Sequence, residues 1–284
     1  MGINAPTGAE PGARSRIRGG PGAGCRDARG VPALDHRYPA PVVEGVLVRR
    51  YQRFLADVEV SGGEVLTVHC ANSGSMRTCA EPGRPVRISD SGSATRRLRW
   101  NLEQIRMGRA WVGLNTAVPN RALEAAVARG GVEALRGYPS VRREVVYGRE
   151  RRSRIDLLLE DGPRRCWVEI KNTSYRVGDE VRFPDSPTER GRKHLDELVD
   201  RARVGDRAVL VFFVNRPDVR LFRPAYEIDP AYAEGLARAA AAGVEVLPLR
   251  ALLSSRGVTV GAPIPYRLEP APDPADGATG RGNS

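Results

Sequence analysis

Two short apolar runs, RIDLLLE at 154–160 and RCWVEIKN at 165–172, flank the turn pair Asp161-Gly162. This constrains the fold more than any other feature, because two such runs around so short a connection pair as an antiparallel hairpin. Strands this apolar belong in a core, yet Asp156, Glu169 and Lys171 interrupt them. Residues i and i+2 of a strand point the same way, so Glu169 and Lys171 share a face while Val168 and Ile170 take the other. A turn near 161–164 places Asp156 opposite about residue 169, so the three charges converge at one end of the hairpin. Two carboxylates that close repel unless a cation sits between them. Mg²⁺ or Mn²⁺ suits such oxygen ligands, namely Asp156, Glu169 and the Ile170 backbone carbonyl. Lys171 is placed to orient or deprotonate an attacking water and to balance charge on a scissile phosphate. These are the parts for metal-assisted phosphodiester hydrolysis. The plainer alternative is a solvated strand face with Glu169–Lys171 as an incidental pair.

Around the hairpin, strands alternate with helical segments, which implies an α/β sheet. PNRALEAAVARGG, TERGRKHLDELVDRA and PAYAEGLARAAAAG read as helices. RAVLVFFVN is a strand buried on both faces, and VEVLPL a final core strand. Thr188 is placed to cap the second helix, with Leu195, Leu198, Val199 and Ala202 on its apolar face. Upstream, VVEGVLVRR, RFLADVEV and EVLTVHCAN are joined by short turns, and PVRISD and RRLRWNLEQIRM add strands. Five short strands in so little chain suit a small β-barrel. The expected organisation is a disordered extension at 1–40, a barrel at 41–110, an α/β domain at 111–267 and a disordered tail at 268–284.

The net charge of +11 points to a polyanionic partner. Only two of the 45 basic residues are lysines, Lys171 and Lys193. Arginine is therefore the default base in this chain, which discounts the net charge and singles out both lysines. The four cysteines form no Cys-x-x-Cys pair, and a reduced, cytoplasmic protein is expected. No run reaches the roughly 18 apolar residues of a membrane span.

D-(x)12-E-x-K across a hairpin resembles the PD-(D/E)XK nuclease-like superfamily. The blocks RRYQRFLADV (49–58), HCANSGSM (69–76), Asn115-Thr116 with Asn120-Arg121, EVVYGRERRSRID (144–156), VEIKN (168–172) and FPDSPTERGRKHLDEL (183–198) are more specific. They resemble the sugar fermentation stimulation protein A (SfsA) family of bacteria and archaea. The resemblance implies an N-terminal OB-fold-like barrel, a C-terminal PD-(D/E)XK restriction-endonuclease-like α/β domain, and binding to DNA, with RNA as the further candidate. Its historical label concerns sugar catabolism, so the alternative to a nuclease is a non-catalytic DNA-binding regulator. The superfamily pattern assigns metal and catalytic roles to Asp156, Glu169 and Lys171, with Glu144 as a weaker acidic candidate. Asn172 stands where relatives usually carry serine, a change expected to be tolerated.

Two groups of phosphate-binding candidates remain. The first turn of the helix after Glu169-x-Lys171 carries Arg190, Lys193 and His194, where a helix N-terminus attracts anions. In the barrel, Arg49, Arg50 and Arg53 interleave with Tyr51 and Phe54, a pattern that serves single-strand backbones and bases. Phe54 is the aromatic expected in the core.

Overall fold

The computed structural model describes residues 33–148 and 153–271. A two-residue strand, β1 (His36–Arg37), precedes the barrel strands β2 (Val43–Tyr51), β3 (Leu55–Val60), β4 (Val65–His69), β5 (Pro85–Asp90), β6 (Trp100–Met107) and β7 (Ala110–Gly113). They run in the order β4-β3-β2-β5-β6-β7. A parallel bridge from His69 to Asn101 joins β4 to β6 and closes five of them into a barrel. Alternate residues point inward, so Leu47, Ala56, Val58, Val68, Val86, Ile88, Leu102 and Ile105 fill it. This is the OB architecture.

The second domain contains α1 (Val118–Ala128), β8 (Ser140–Tyr147), β9 (Ser153–Asp161), β10 (Arg164–Thr173), β11 (Tyr175–Val177), β12 (Glu180–Phe183) and α2 (Glu189–Arg203). It continues through β13 (Arg207–Val214), β14 (Leu221–Pro224), α3 (Pro230–Ala241), β15 (Glu245–Leu253) and β16 (Gly257–Pro263). Seven strands form one sheet in the order β1-β16-β15-β13-β10-β9-β8, and β11, β12 and β14 form a small second sheet. At its centre β10, β13 and β15 are parallel, with α2 and α3 in the crossovers.

β13 has no wet face. Val209, Val211 and Phe213 pack with α1 residues Ala122, Leu123 and Ala126. Ala208, Leu210 and Phe212 pack with Leu195 and Leu198 of α2 and Tyr232 and Leu236 of α3. That explains the unbroken apolar run. Thr188 caps α2, its side chain accepting the Gly191 N–H at 3.0 Å. Val199 and Ala202 pack against the same core. No helix among the described residues is long and apolar enough to cross a membrane.

Four expectations about extent need correction. Order begins before Pro41: β1 pairs with β16, and buried Asp35 accepts from Arg129 at 2.6 and 2.9 Å and from the Val260 N–H at 2.7 Å. One buried carboxylate holds a segment whose composition reads as irregular. The rest of the expected extension, 1–32, lies outside the described residues, as does 272–284 of the tail. Leu268 packs on the core, and Arg223 donates to the Glu269 carbonyl at 2.9 Å. β7 pairs with β6, so residues 111–113 belong to the barrel. VEVLPL is not the last core strand, because β16 returns antiparallel beside β15.

Candidate active site

β9 and β10 pair from Asp161↔Arg164 to Leu157↔Val168, the register in which Asp156 falls opposite Glu169. Past that point the ladder lapses. On β8, pairing skips Glu144, which lies opposite Asp156 and has φ +51°. A non-glycine residue in that conformation marks a local kink. Ile155 packs on the α2 side and Leu157 on the α1 side, so β9 changes face at Asp156. The Asp156 carboxylate takes up the gap. Its Oδ2 accepts the Ile170 N–H at 2.7 Å, and its Oδ1 accepts from Asn120 Nδ2 of α1 at 2.7 Å. The N–H and C=O of one strand residue face the same edge. The Ile170 carbonyl therefore faces this gap too.

Glu169 lies under α2 and is 3% exposed. Its Oε1 accepts from Lys171 Nζ at 2.8 Å and is in hydrogen-bond contact with His194 Nδ1. Its Oε2 is buried without a partner among the described residues. Lys171 shares the face as expected. His194 Nε2 faces Arg190 Nε at 3.4 Å. A guanidinium only donates, so Nε2 is the bare nitrogen, and Nδ1 carries the proton and gives it to Glu169. The 3.2 Å approach of Lys171 Nζ to Nδ1 is then two donors meeting at one carboxylate oxygen.

Burial, then the neighbouring Glu169, pushes the Asp156 carboxyl up to about 7. Burial acts on Glu169 in the same direction, but Lys171 and His194 outweigh it and hold that carboxyl below its usual range. One carboxylate is thus charged and the other poised to accept a proton, the separation expected of a coupled pair. Tyr147 and Tyr232 place buried hydroxyls nearby, both raised by burial and then by Glu169; that of Tyr232 has no partner among the described residues. Glu197 of α2 accepts from Ser153 Oγ at 2.6 Å and adds to the rise of Tyr147.

A hard divalent cation fits this donor set: Asp156, the free Oε2 of Glu169 and the Ile170 carbonyl are all oxygen ligands. Among the described residues no group of three or more His, Cys, Asp or Glu side chains is spaced to hold a metal ion. A cation held here would draw its remaining ligands from water and substrate, which is usual for Mg²⁺. Glu144, expected as an extra ligand, is exposed on β8 outside the buried cluster.

The expected phosphate ligands separate. Arg190 and Lys193 are exposed on α2, with Lys193 3.8 Å from Glu197. His194 is 5% exposed and belongs to the carboxylate cluster, not to a phosphate surface. Its place on the buried face of α2, one turn beyond Arg190, decides this. His194→Ala is expected to lower activity about 10- to 100-fold, the usual cost of removing a partner that orients a ligand. His194→Asn, which restores a donor, should recover part of it; the check is kcat measured against KM.

On the barrel, Arg49 is exposed and paired with Asp57 at 2.7 Å, and Arg53 is exposed in the β2–β3 turn. Arg50 has another task. Its Nη2 donates to the carbonyls of Arg53, Asn72 and Gly74 at 2.8, 2.8 and 3.2 Å. Phe54 is not the core aromatic, and Tyr51 is only half-buried. Phe54 is 45% exposed in the turn, while Tyr51 donates to Asp57 Oδ1 at 3.1 Å.

HCANSGSM proves to be the seam between the domains. Asn72 donates to the Leu114 carbonyl at 3.1 Å. Ser75 Oγ donates to the Asp185 carbonyl at 2.8 Å, and the Met76 N–H to Asp185 Oδ2 at 3.1 Å. A Cβ at Gly74 would stand 2.5 Å from that carboxylate, so glycine is required by the close approach. Asn120, Tyr147, Glu197 and Asp185 were not legible as site or seam residues. The motif blocks contain all four, but no spacing rule marks them.

A family model described as the sugar fermentation stimulation protein RE domain matches residues 117–257. One described as the SfsA N-terminal OB domain matches residues 48–114. The sugar fermentation stimulation protein homologue of Paramagnetospirillum magneticum is 49% identical over 233 residues, covering 82% of this chain and 98% of the relative. That of Geobacter metallireducens is 48% identical over 232 residues, covering 82% and 100%. A solved structure described as Pyrococcus furiosus SfsA in complex with Ca²⁺ superposes with a TM-score of 0.74 at 27% identity, over 83% of this chain and 99% of that one. Both domains are matched in order and the relatives are covered nearly whole, so the chain belongs to the sugar fermentation stimulation protein (SfsA) family.

Proposed function

We propose that this protein binds nucleic acid, DNA in the first instance, and hydrolyses phosphodiester bonds with Mg²⁺ or Mn²⁺. The observation that carries the reading is half-buried Asp156 beside buried Glu169, with Lys171 2.8 Å from Glu169. A protein that only bound DNA would gain nothing from carboxylates beside a phosphate backbone. The archaeal relative described with Ca²⁺ supports a hard-cation site in this fold. Asp156, Glu169 and the Ile170 carbonyl would hold the cation, which supplies Lewis acidity and charge neutralisation when bound. Asn120 and the Ile170 N–H fix the Asp156 carboxylate. His194 fixes Glu169 so that Oε2 stays free. Lys171 positions the attacking water and offsets charge on the phosphate, and Arg190 and Lys193 hold the flanking backbone.

A second reading, a non-catalytic nucleic-acid-binding regulator of sugar catabolism, is favoured by one observation. Glu169 Oε1 is fully occupied by Lys171 and His194, and among the described residues no third acidic ligand joins the pair. Labelled single- and double-stranded DNA and RNA incubated with Mn²⁺, Mg²⁺ or EDTA separate the two. Cutting that needs the metal and stops with EDTA is expected. Binding without cutting under every condition would establish the regulator.

A further inference from the structure

We infer that the closure end of the barrel is a lane for single-stranded nucleic acid, which it hands to the α2 end of the carboxylate cluster. This rests on the nucleic-acid reading above and names its substrate class.

The loop before β6 exposes Arg96 and Arg99. Arg99 rests on Asp90 at 2.6 Å and stands over the half-buried Trp100 ring, 5.5 Å from its centroid. Arg96 donates to Asn101 at 2.9 Å, and Asn101 is the residue that meets His69 where the barrel closes. His69 is half-buried, and its Nδ1 has no partner among the described residues. Next along, the Phe54 carbonyl accepts the Cys70 N–H at 2.8 Å, which places the exposed Phe54 at the same end of the barrel. Arg53 shares that turn.

Hydrogen bonds tie this end of the barrel to the start of α2. Arg50 ties the Phe54 turn to loop 72–74, and Ser75 and Met76 tie that loop to Asp185. Asp185 lies three residues before the α2 cap, and α2 carries Arg190 and Lys193. Guanidinium groups along this path serve any phosphate backbone, but the exposed Phe54 ring among them serves something narrower. A ring stacks on a base face, and in a duplex those faces are covered by neighbouring bases. An exposed phenylalanine among arginines therefore selects unpaired bases.

The test uses the full chain in EDTA with fluorescein-labelled oligo(dT), oligo(rU) and a mixed-sequence duplex of equal length, read by anisotropy. Single strands should bind more tightly than duplex. Phe54→Ala and Phe54→Leu should each weaken single-strand binding about ten-fold, because neither stacks on a base, and leave duplex binding unchanged. Arg96→Ala should weaken binding and flatten its salt dependence. Arg238→Ala, on exposed α3 beside Glu234, should change nothing. The oligo(dT) and oligo(rU) arms assign the lane to DNA or RNA, and tight binding of either supports it. If duplex binds as well as single strands and the Phe54 variants match wild type, the lane is wrong while the nucleic-acid reading stands. If wild type binds none of the three, both fail.

Discussion

Lys171→Ala is expected to reduce metal-dependent cleavage about a thousand-fold while leaving nucleic-acid affinity within about two-fold of wild type, since general acid–base groups typically contribute two to four orders of magnitude. The affinity should persist because the exposed arginines lie elsewhere, on the barrel and on the outer side of α2. Glu169→Gln should lose as much activity by a different route, since it keeps the shape of the side chain but removes the charge that faces the cation. The two variants should differ in stability. Lys171 is the main favourable charge for buried Glu169, and removing one partner of a buried pair costs roughly 3–5 kcal/mol. Glu169→Gln removes that charge and should cost less. Lys171→Arg keeps a cation against Glu169, so it controls for folding, yet its planar guanidinium cannot take the place of the compact ammonium that positions the water. Full activity in Lys171→Ala would make VEIKN a structural strand. Loss of activity in Lys171→Ala with full activity in Lys171→Arg would assign the lysine to charge balance alone.

Between about pH 4 and pH 7, the metal-free protein should lose stability relative to Asp156→Asn. The folded-state pKa of Asp156 is about 7 against an ordinary 3.8. Over that window the unfolded chain releases the proton and the folded chain retains it, so unfolding becomes more favourable by about 1.4 kcal/mol per pH unit, about 4 kcal/mol in all. The stabilisation is complete below the unfolded value and gone above the folded one. A divalent cation reverses the sign of this effect, because it takes the ionised carboxylate. Mg²⁺ or Mn²⁺ should therefore stabilise wild type more at pH 8 than at pH 5, and Asp156→Asn little at either. Urea denaturation at both pH values, with and without the cation, measures this. Parallel pH curves for wild type and Asp156→Asn would mean that Asp156 ionises normally and that Glu169 exerts no influence on it.

Several elements followed from local chemistry alone. The two-residue period of a strand and the Asp161-Gly162 turn were enough to set Asp156 opposite Glu169 and to put Lys171 on the face of Glu169. The Thr188 cap and the apolar face of α2 follow from capping chemistry and helical spacing in the same way. The turn between β2 and β3 was legible, but not which of its flanking aromatics would be the more exposed. Tyr51 is drawn down by Asp57, a partner on the adjacent strand, and Phe54 is left outside.

The hairpin by itself would leave Glu169 and Lys171 as a pair of charges on a strand. What turns them into a buried cluster is α2, which lays His194 across them from 25 residues away, and α1, which brings Asn120 to Asp156 across 36. The Asp35 clamp to Val260 spans 225 residues, and the contact between Ser75 and Asp185 spans 110. Strand period, turn residues and caps act over a few residues and are written in the sequence. Which helix covers which strand end, and so which charges leave water and which carboxylate is raised, depends on packing two faces of one sheet. Only the tertiary structure decides that, because the energy of a buried charge is set by neighbours that no local pattern specifies.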